Sequence, residues 1–131
     1  MEGVTAPSES PADAGARLAR EYLQLIEEGR SDEAAALLDR PADARELVFA
    51  GAGFTTLARR AGRTLPTAMR AQASTRQVRL GQLRDANRQD VQSLRTWLRE
   101  AAEELVTVTR LAAAARHRLG SPSAGGGRAA P

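Results

Sequence analysis

The stretch RQVRLGQLRDANRQDVQSLRTWLREAAEELVTVTRLAAAARHRL, residues 76–119, decides the fold. It contains no Pro, and its one Gly, Gly81, lies near the start. From Val91 the apolar positions run Val91, Leu94, Leu98, Ala101, Leu105, Val108, Ala112, Ala115 and Leu119. Steps of three and four residues alternate without a fault. This spacing sets the side chains on one line along an α-helix, the seam by which a long helix packs lengthwise on others. A helix over the whole stretch would be roughly 65 Å long, more than a compact domain of this size encloses. The expectation is an all-α protein: an elongated helical hairpin or bundle with one long C-terminal helix and shorter N-terminal helices packed along it.

Upstream of that helix the chain reads as short helical pieces. Residues 1–11 are rich in Ser, Pro, Gly and Glu and predict a disordered leader. From Ala12, a helix is expected with Leu18, Tyr22, Leu25 and Ile26 on one face, ended by Gly29. Ser31 reads as the N-cap of a second helix carrying Ala34, Leu37 and Leu38, with Asp32 and Glu33 in its first turn. Pro41 interrupts or kinks that helix, or opens the next one. Gly51-Ala52-Gly53 reads as a break, followed by a short helix from Phe54 to Ala61 that ends at Gly62. Thr64 is a further N-cap candidate, with Pro66 in the first turn after it. The helix from there either runs straight into the long one or breaks near Ser74-Thr75. Gly120 closes the long helix, and the tail SPSAGGGRAAP reads as disordered. The domain reading is thus a leader at 1–11, a helical domain at 12–119 and a tail at 120–131.

Composition narrows the function classes. With 131 residues the chain is one domain at most, and its four aromatics (Tyr22, Phe49, Phe54, Trp97) imply a thin core of Ala and Leu. There is no Cys, so disulfides and thiolate metal sites are excluded. No signal peptide is visible, and the longest uncharged run, residues 47–58, is too short to span a bilayer. A cytoplasmic location is the expectation. All 19 basic residues are Arg, which a GC-rich genome would favour, and the net charge of +3 hides an asymmetry. Residues 1–50 carry 11 acids and 5 Arg, whereas residues 51–99 carry 2 acids and 10 Arg. Either these halves fold against each other or the basic middle meets an anionic partner.

Individual residues point away from catalysis. His117, the one His, sits between Arg116 and Arg118 and reads as a solvated helix end. Glu100, Glu103 and Glu104 lack the Glu-x-x-His repeat of di-metal bundles and read as solvating flanks of the seam. Without Cys and with one His, zinc chemistry and a Ser-His-Asp triad lack parts, so neither enzyme nor cofactor is expected. Asn87, the one Asn, falls on the seam register, either exposed or as a buried polar residue that fixes register. Arg84, Arg88, Arg95 and Arg99 share one face of a continuous helix and form a possible anion-binding stripe. Nucleic acid ranks below protein as its partner, because no aromatics are interleaved for base stacking. TTLARRAGRTLPTAMRA (55–71) has the outline of a helix-turn-helix, but its second half makes a poor recognition helix. YLQLIEEGRSDEAAALL resembles one tetratricopeptide-type pair with no second copy.

The seam itself carries the leading functional expectation. Leu94, Leu98, Leu105, Val108 and Leu119 exceed what short helices of one chain would cover, while Ala101, Ala112 and Ala115 allow close helix approach. Leu94, Leu98, Ala101, Leu105, Val108, Leu111 and Ala112 are therefore the expected partner-binding residues. The partner would be a helix of a client protein or of a second copy. Two segments carry a family resemblance: AREYLQLIEEGRSDEAAALLD (19–39) and QLRDANRQDVQSLRTWLREAAEEL (82–105), with Gly120 following. Together they resemble the small helical flagellar export chaperones of the FlgN and FliT kind. The kinked middle, Pro41 to Pro66, departs from the long first helices of that family. The resemblance implies a cytoplasmic chaperone that keeps an export substrate soluble by holding one of its helices, and it implicates Leu94, Leu98, Leu105, Val108 and Leu111.

Overall fold

A computed structural model describes residues 9–120, with side chains to residue 118. The chain forms five helices: α1 (Pro11–Glu27), α2 (Ser31–Leu37), α3 (Ala44–Gly62), α4 (Thr67–Ala86) and α5 (Val91–Gly120). The all-α expectation holds, with a long C-terminal helix packed against shorter ones and no strand among the described residues. The expected tail from 121 onward and residues 1–8 of the expected leader lie outside the described residues. At 9–11 the chain is already organised: Ser10 caps α1 by accepting from the Asp13 N–H, and Pro11 occupies the first turn.

Helices α1, α3 and α5 make the central layer. α2 packs on α1, and α4 packs on α5 and, less extensively, on α3. Gly29 turns the chain after α1 with φ +77, a left-handed conformation that suits Gly. Ser31 is the first helical residue of α2, not its cap. Arg30 holds the cap position and makes ion pairs with Glu28 and Glu33. α2 ends at Leu37, and Pro41 is buried in the linker rather than inside a helix. Asp43 then caps α3 by accepting from the Glu46 N–H, while Glu46 Oε1 accepts from the Ala42 N–H.

The break expected at Gly51-Ala52-Gly53 does not occur. α3 runs through it for 19 residues. These glycines are small because neighbours come close. A Cβ on Gly53 would strike the Gly15 carbonyl of α1, and a Cβ on Gly15 would strike the Phe49 carbonyl of α3. A Cβ on Gly51 would fall on the Trp97 ring of α5. The helices therefore approach almost backbone to backbone, which Gly permits at a propensity cost of about 1 kcal/mol each. Tyr22 and Phe54 lock the same α1–α3 contact edge to face, 5.3 Å between centroids and 76° between planes.

The long helix is also divided differently from the expectation. The chain stays helical through Ser74-Thr75 but breaks between Ala86 and Val91. Asn87 ends α4, its Nδ2 donating to the Leu83 carbonyl. It is half-buried as a helix cap, and sets no register within a continuous seam. Asp90 opens α5: its carboxylate accepts from the Ser93 hydroxyl and, with less effect, from the Gln92 N–H, bonds that hold it below the usual carboxylate range.

The seam is covered from within. Leu94, Leu98, Ala101, Leu105, Val108, Ala112 and Ala115 are all buried, at 3% exposure or less. Trp97 and Ala102 are buried beside them, so α5 presents a broad apolar face rather than a narrow coiled-coil line. The expectation that this edge exceeds what the chain can hide is overturned. Unbroken α3 and α4, 19 and 20 residues long, each run about 30 Å and match the buried length of α5.

Candidate functional site

With the seam enclosed, the expected partner-binding set cannot act as a surface. Leu94, Leu98, Ala101, Leu105, Val108 and Ala112 are core residues, and Leu111 is half-buried against the same core. The Arg stripe is likewise divided. Arg84 lies on α4, Arg88 in the turn, and Arg95 and Arg99 on α5, so the four share no single helix face. Arg84 and Arg88 both converge on Asp85 Oδ1 at 3.0 Å. The hydrogen bond from Arg84, then that from Arg88, holds this carboxyl below its ordinary range. His117 is exposed, as expected of a solvated helix end.

The open surface lies on the other side of α4. This helix buries only Ala73 and Leu80 of its 20 residues. Val78 stands 58% exposed, the one large apolar side chain so placed among the described residues. Between α4 and the C-terminal half of α3 runs a groove of about 470 Å³. Ala58, Gly62, Ala73 and Val78 give it apolar wall; Arg59, Arg63 and Arg70 stand exposed at its rim. The fold places them there simply. Arg59 and Arg63 are one turn apart at the end of α3, the turn through Leu65 and Pro66 reverses the chain, and Arg70 sits in the first turn of α4. Leu65, 2% exposed, pins that turn into the core.

The groove floor is polar. Glu104 on α5, expected as a solvating flank, is 8% exposed, and its Oε1 accepts from Arg76 Nε at 2.7 Å. Its Oε2, the Gln77 Oε1 and the Arg76 Nη2 are buried without a hydrogen-bond partner in the protein. α4 is therefore docked by this ion pair together with a short apolar stripe, Met69, Ala73, Leu80 and Leu83. Removing one member is costly because the other charge stays behind. Arg76→Met is expected to destabilise the chain by about 2 kcal/mol, whereas Arg76→Met with Glu104→Leu is expected to be neutral or stabilising. Urea denaturation of the two variants measures the difference.

A second cavity, about 290 Å³, lies between the start of α1 and the start of α3. Most of its charges are already engaged: Arg17 holds Glu9 through Nε and Nη2, at 2.9 and 2.8 Å, Arg40 pairs with Glu21, and Arg45 lies over the Phe49 ring. The groove beside α4 is different. Among the described residues, Arg59, Arg63 and Arg70 pair with no acid, and no ion pair joins residues 1–50 to the basic middle. The halves of opposite sign do not neutralise each other.

Fold and groove together define a small helical bundle with an open basic face. Neither a family model, nor a curated protein, nor a solved structure matches the chain. No described helix is long and apolar enough to cross a membrane.

The groove residues were not singled out by spacing. The only signals were the charge excess of residues 51–99 and the helix-turn-helix outline of residues 55–71, whose turn at residues 63–66 is the turn that builds the groove.

Proposed function

We propose that this chain is a non-enzymatic helical binding protein, of the chaperone or adaptor kind, that holds a segment of a client polypeptide on the open side of α4. What supports the reading is the state of α4: a full-length helix with two buried residues and an exposed Val78 beside a groove. Met69, Ala73, Leu80 and Leu83 form the stripe that α4 turns to the core, and this leaves Val78 and the groove beside it on the outer side. The site is thus moved from the α5 seam, which α1, α3 and α4 already occupy, to the α3–α4 face.

The finer reading, a cytoplasmic chaperone for a secretion or flagellar client, rests on the resemblance of residues 19–39 and 82–105. The second of these segments spans the α4–α5 turn rather than lying on one helix.

A photo-crosslinking residue at Val78 of the full chain is expected to capture one discrete polypeptide in cells. The same residue at Asp32, exposed on α2, is expected to capture none. Equal labelling from both positions, or none from either, overturns the reading.

A further inference from the structure

The basic middle of the chain is not neutralised by the acidic N-terminal half: among the described residues only Arg76, Arg84 and Arg88 of residues 51–99 pair with an acid, and those acids, Glu104 and Asp85, lie outside residues 1–50. That outcome has a chemical meaning at the groove. Arg59, Arg63 and Arg70 stand along its rim without an acidic partner among the described residues, Arg70 Nη2 donating to the Thr67 hydroxyl at 3.1 Å, while Ala58, Ala73 and Val78 offer apolar wall between them. We propose that the α3–α4 groove is the docking site for an acidic amphipathic segment of the partner protein. Carboxylates of that segment meet the three rim arginines, and an apolar side chain seats against Val78. The proposal rests on the client-holding reading and adds the partner's chemistry to it.

Three observations favour a peptide over a nucleic acid. Glu104 and Gln77 line the floor, and a phosphate backbone would bring its row of charge toward the Glu104 carboxylate. A peptide can instead lay an apolar side chain over that floor and keep its carboxylates at the rim. Base stacking also lacks a platform. Tyr22, Phe54 and Trp97 are buried, and the half-buried Phe49 lies under Arg45, 5.1 Å from ring centroid to guanidinium. An apolar contact at Val78, in turn, gains nothing from a phosphate.

The test is binding of the full chain to a labelled helical peptide with Leu on one face and Glu on its flanks. The same peptide with Gln for Glu, and a DNA duplex, are the comparators. The Glu peptide is expected to bind, and the Gln peptide about tenfold more weakly. Arg59→Ala/Arg63→Ala/Arg70→Ala is expected to weaken the Glu peptide by a similar factor, the sum of three modest surface ion pairs. Arg20→Ala/Arg40→Ala/Arg45→Ala, with the same loss of charge away from the groove, is expected to change binding by less than about twofold. All six arginines are exposed, so circular dichroism of both variants should match the parent. Equal weakening by the two triple variants overturns the proposal, as does a duplex that binds more tightly than the peptide and depends on the same three arginines. If no peptide binds while Val78 still crosslinks a polypeptide in cells, the acidic specificity is overturned and the client-holding reading stands. Loss of the crosslink removes both.

Discussion

Leu98→Asp is expected to unfold the chain rather than to release a partner. Leu98 has no exposed surface and lies in the core beside Leu94, Ala101 and Leu105. The substitution removes a buried Leu side chain, a loss of about 2–5 kcal/mol. It also places a carboxyl where no donor waits, adding about 1–3 kcal/mol even when the group escapes ionisation. Domains of this size are stable by only about 5–15 kcal/mol, so most or all of the margin is consumed. A fall in melting temperature of about 15 °C or more, or loss of helical circular dichroism at room temperature, is the expected reading. Val78→Asp, on the exposed side of α4, is expected to cost under about 0.5 kcal/mol. If Leu98→Asp melts with the parent, the α5 seam is open to solvent and the arrangement described above is wrong.

The second large effect concerns Gly51 and Trp97. Gly51→Ala places a methyl on the indole, and Trp97 at 1% exposure has nowhere to go. Overpacking of this kind costs about 1–3 kcal/mol, and the upper end is expected because the ring is enclosed on all sides. Trp97→Leu opens space at that spot while leaving a cavity, with an expected loss of about 3 kcal/mol. In the Trp97→Leu background the sign at position 51 should reverse. The methyl now fits, and Ala exceeds Gly in helix propensity by about 1 kcal/mol. A thermodynamic cycle over the four proteins, by denaturant titration, measures this coupling. Additive effects would mean that Trp97 does not lie over Gly51.

These two sites also mark what the sequence can and cannot disclose. The α5 seam was legible because burial along one helix leaves a periodic record, and every seam position with a described side chain except half-buried Val91 is in the core. The length of α3 was not legible. Gly51 and Gly53 carry the same letter as a helix breaker, and their purpose depends on Trp97, 46 positions beyond Gly51, and on Gly15 in a different helix. Cutting α3 there, and joining α4 to α5 as one rod, leaves only short helices to cover the seam, and the expectation of an exposed edge follows from those two readings. The α4–α5 turn contains neither Pro nor Gly. Its cue was the three-residue spacing of Asp90 and Ser93, a cap signature read over by the heptad pattern on both sides. Glu104 looked like a solvated flank because its partner, Arg76, is 28 residues away and reaches it only once α4 folds back.

The groove was the least visible feature of all. It is made by the angle between two helices, and its arginines have no periodicity that separates them from the others in the chain. What could be read was the excess of positive charge in residues 51–99, and the fold shows that this excess is not spent inside the molecule.

The sparse burial of α4 has a consequence for how such a protein changes over generations. Residues that hold the bundle, such as Leu98, Trp97 and the close-packed glycines, are expected to tolerate little variation, because each is enclosed by neighbours. Arg59, Arg63, Arg70 and Val78 touch little that the bundle needs. A lineage can therefore rewrite the recognition face, letter by letter, while inheriting the scaffold intact. Distant descendants of this chain would then be recognisable by the glycines between α1 and α3 and the tryptophan above Gly51 rather than by the surface that selects what they hold.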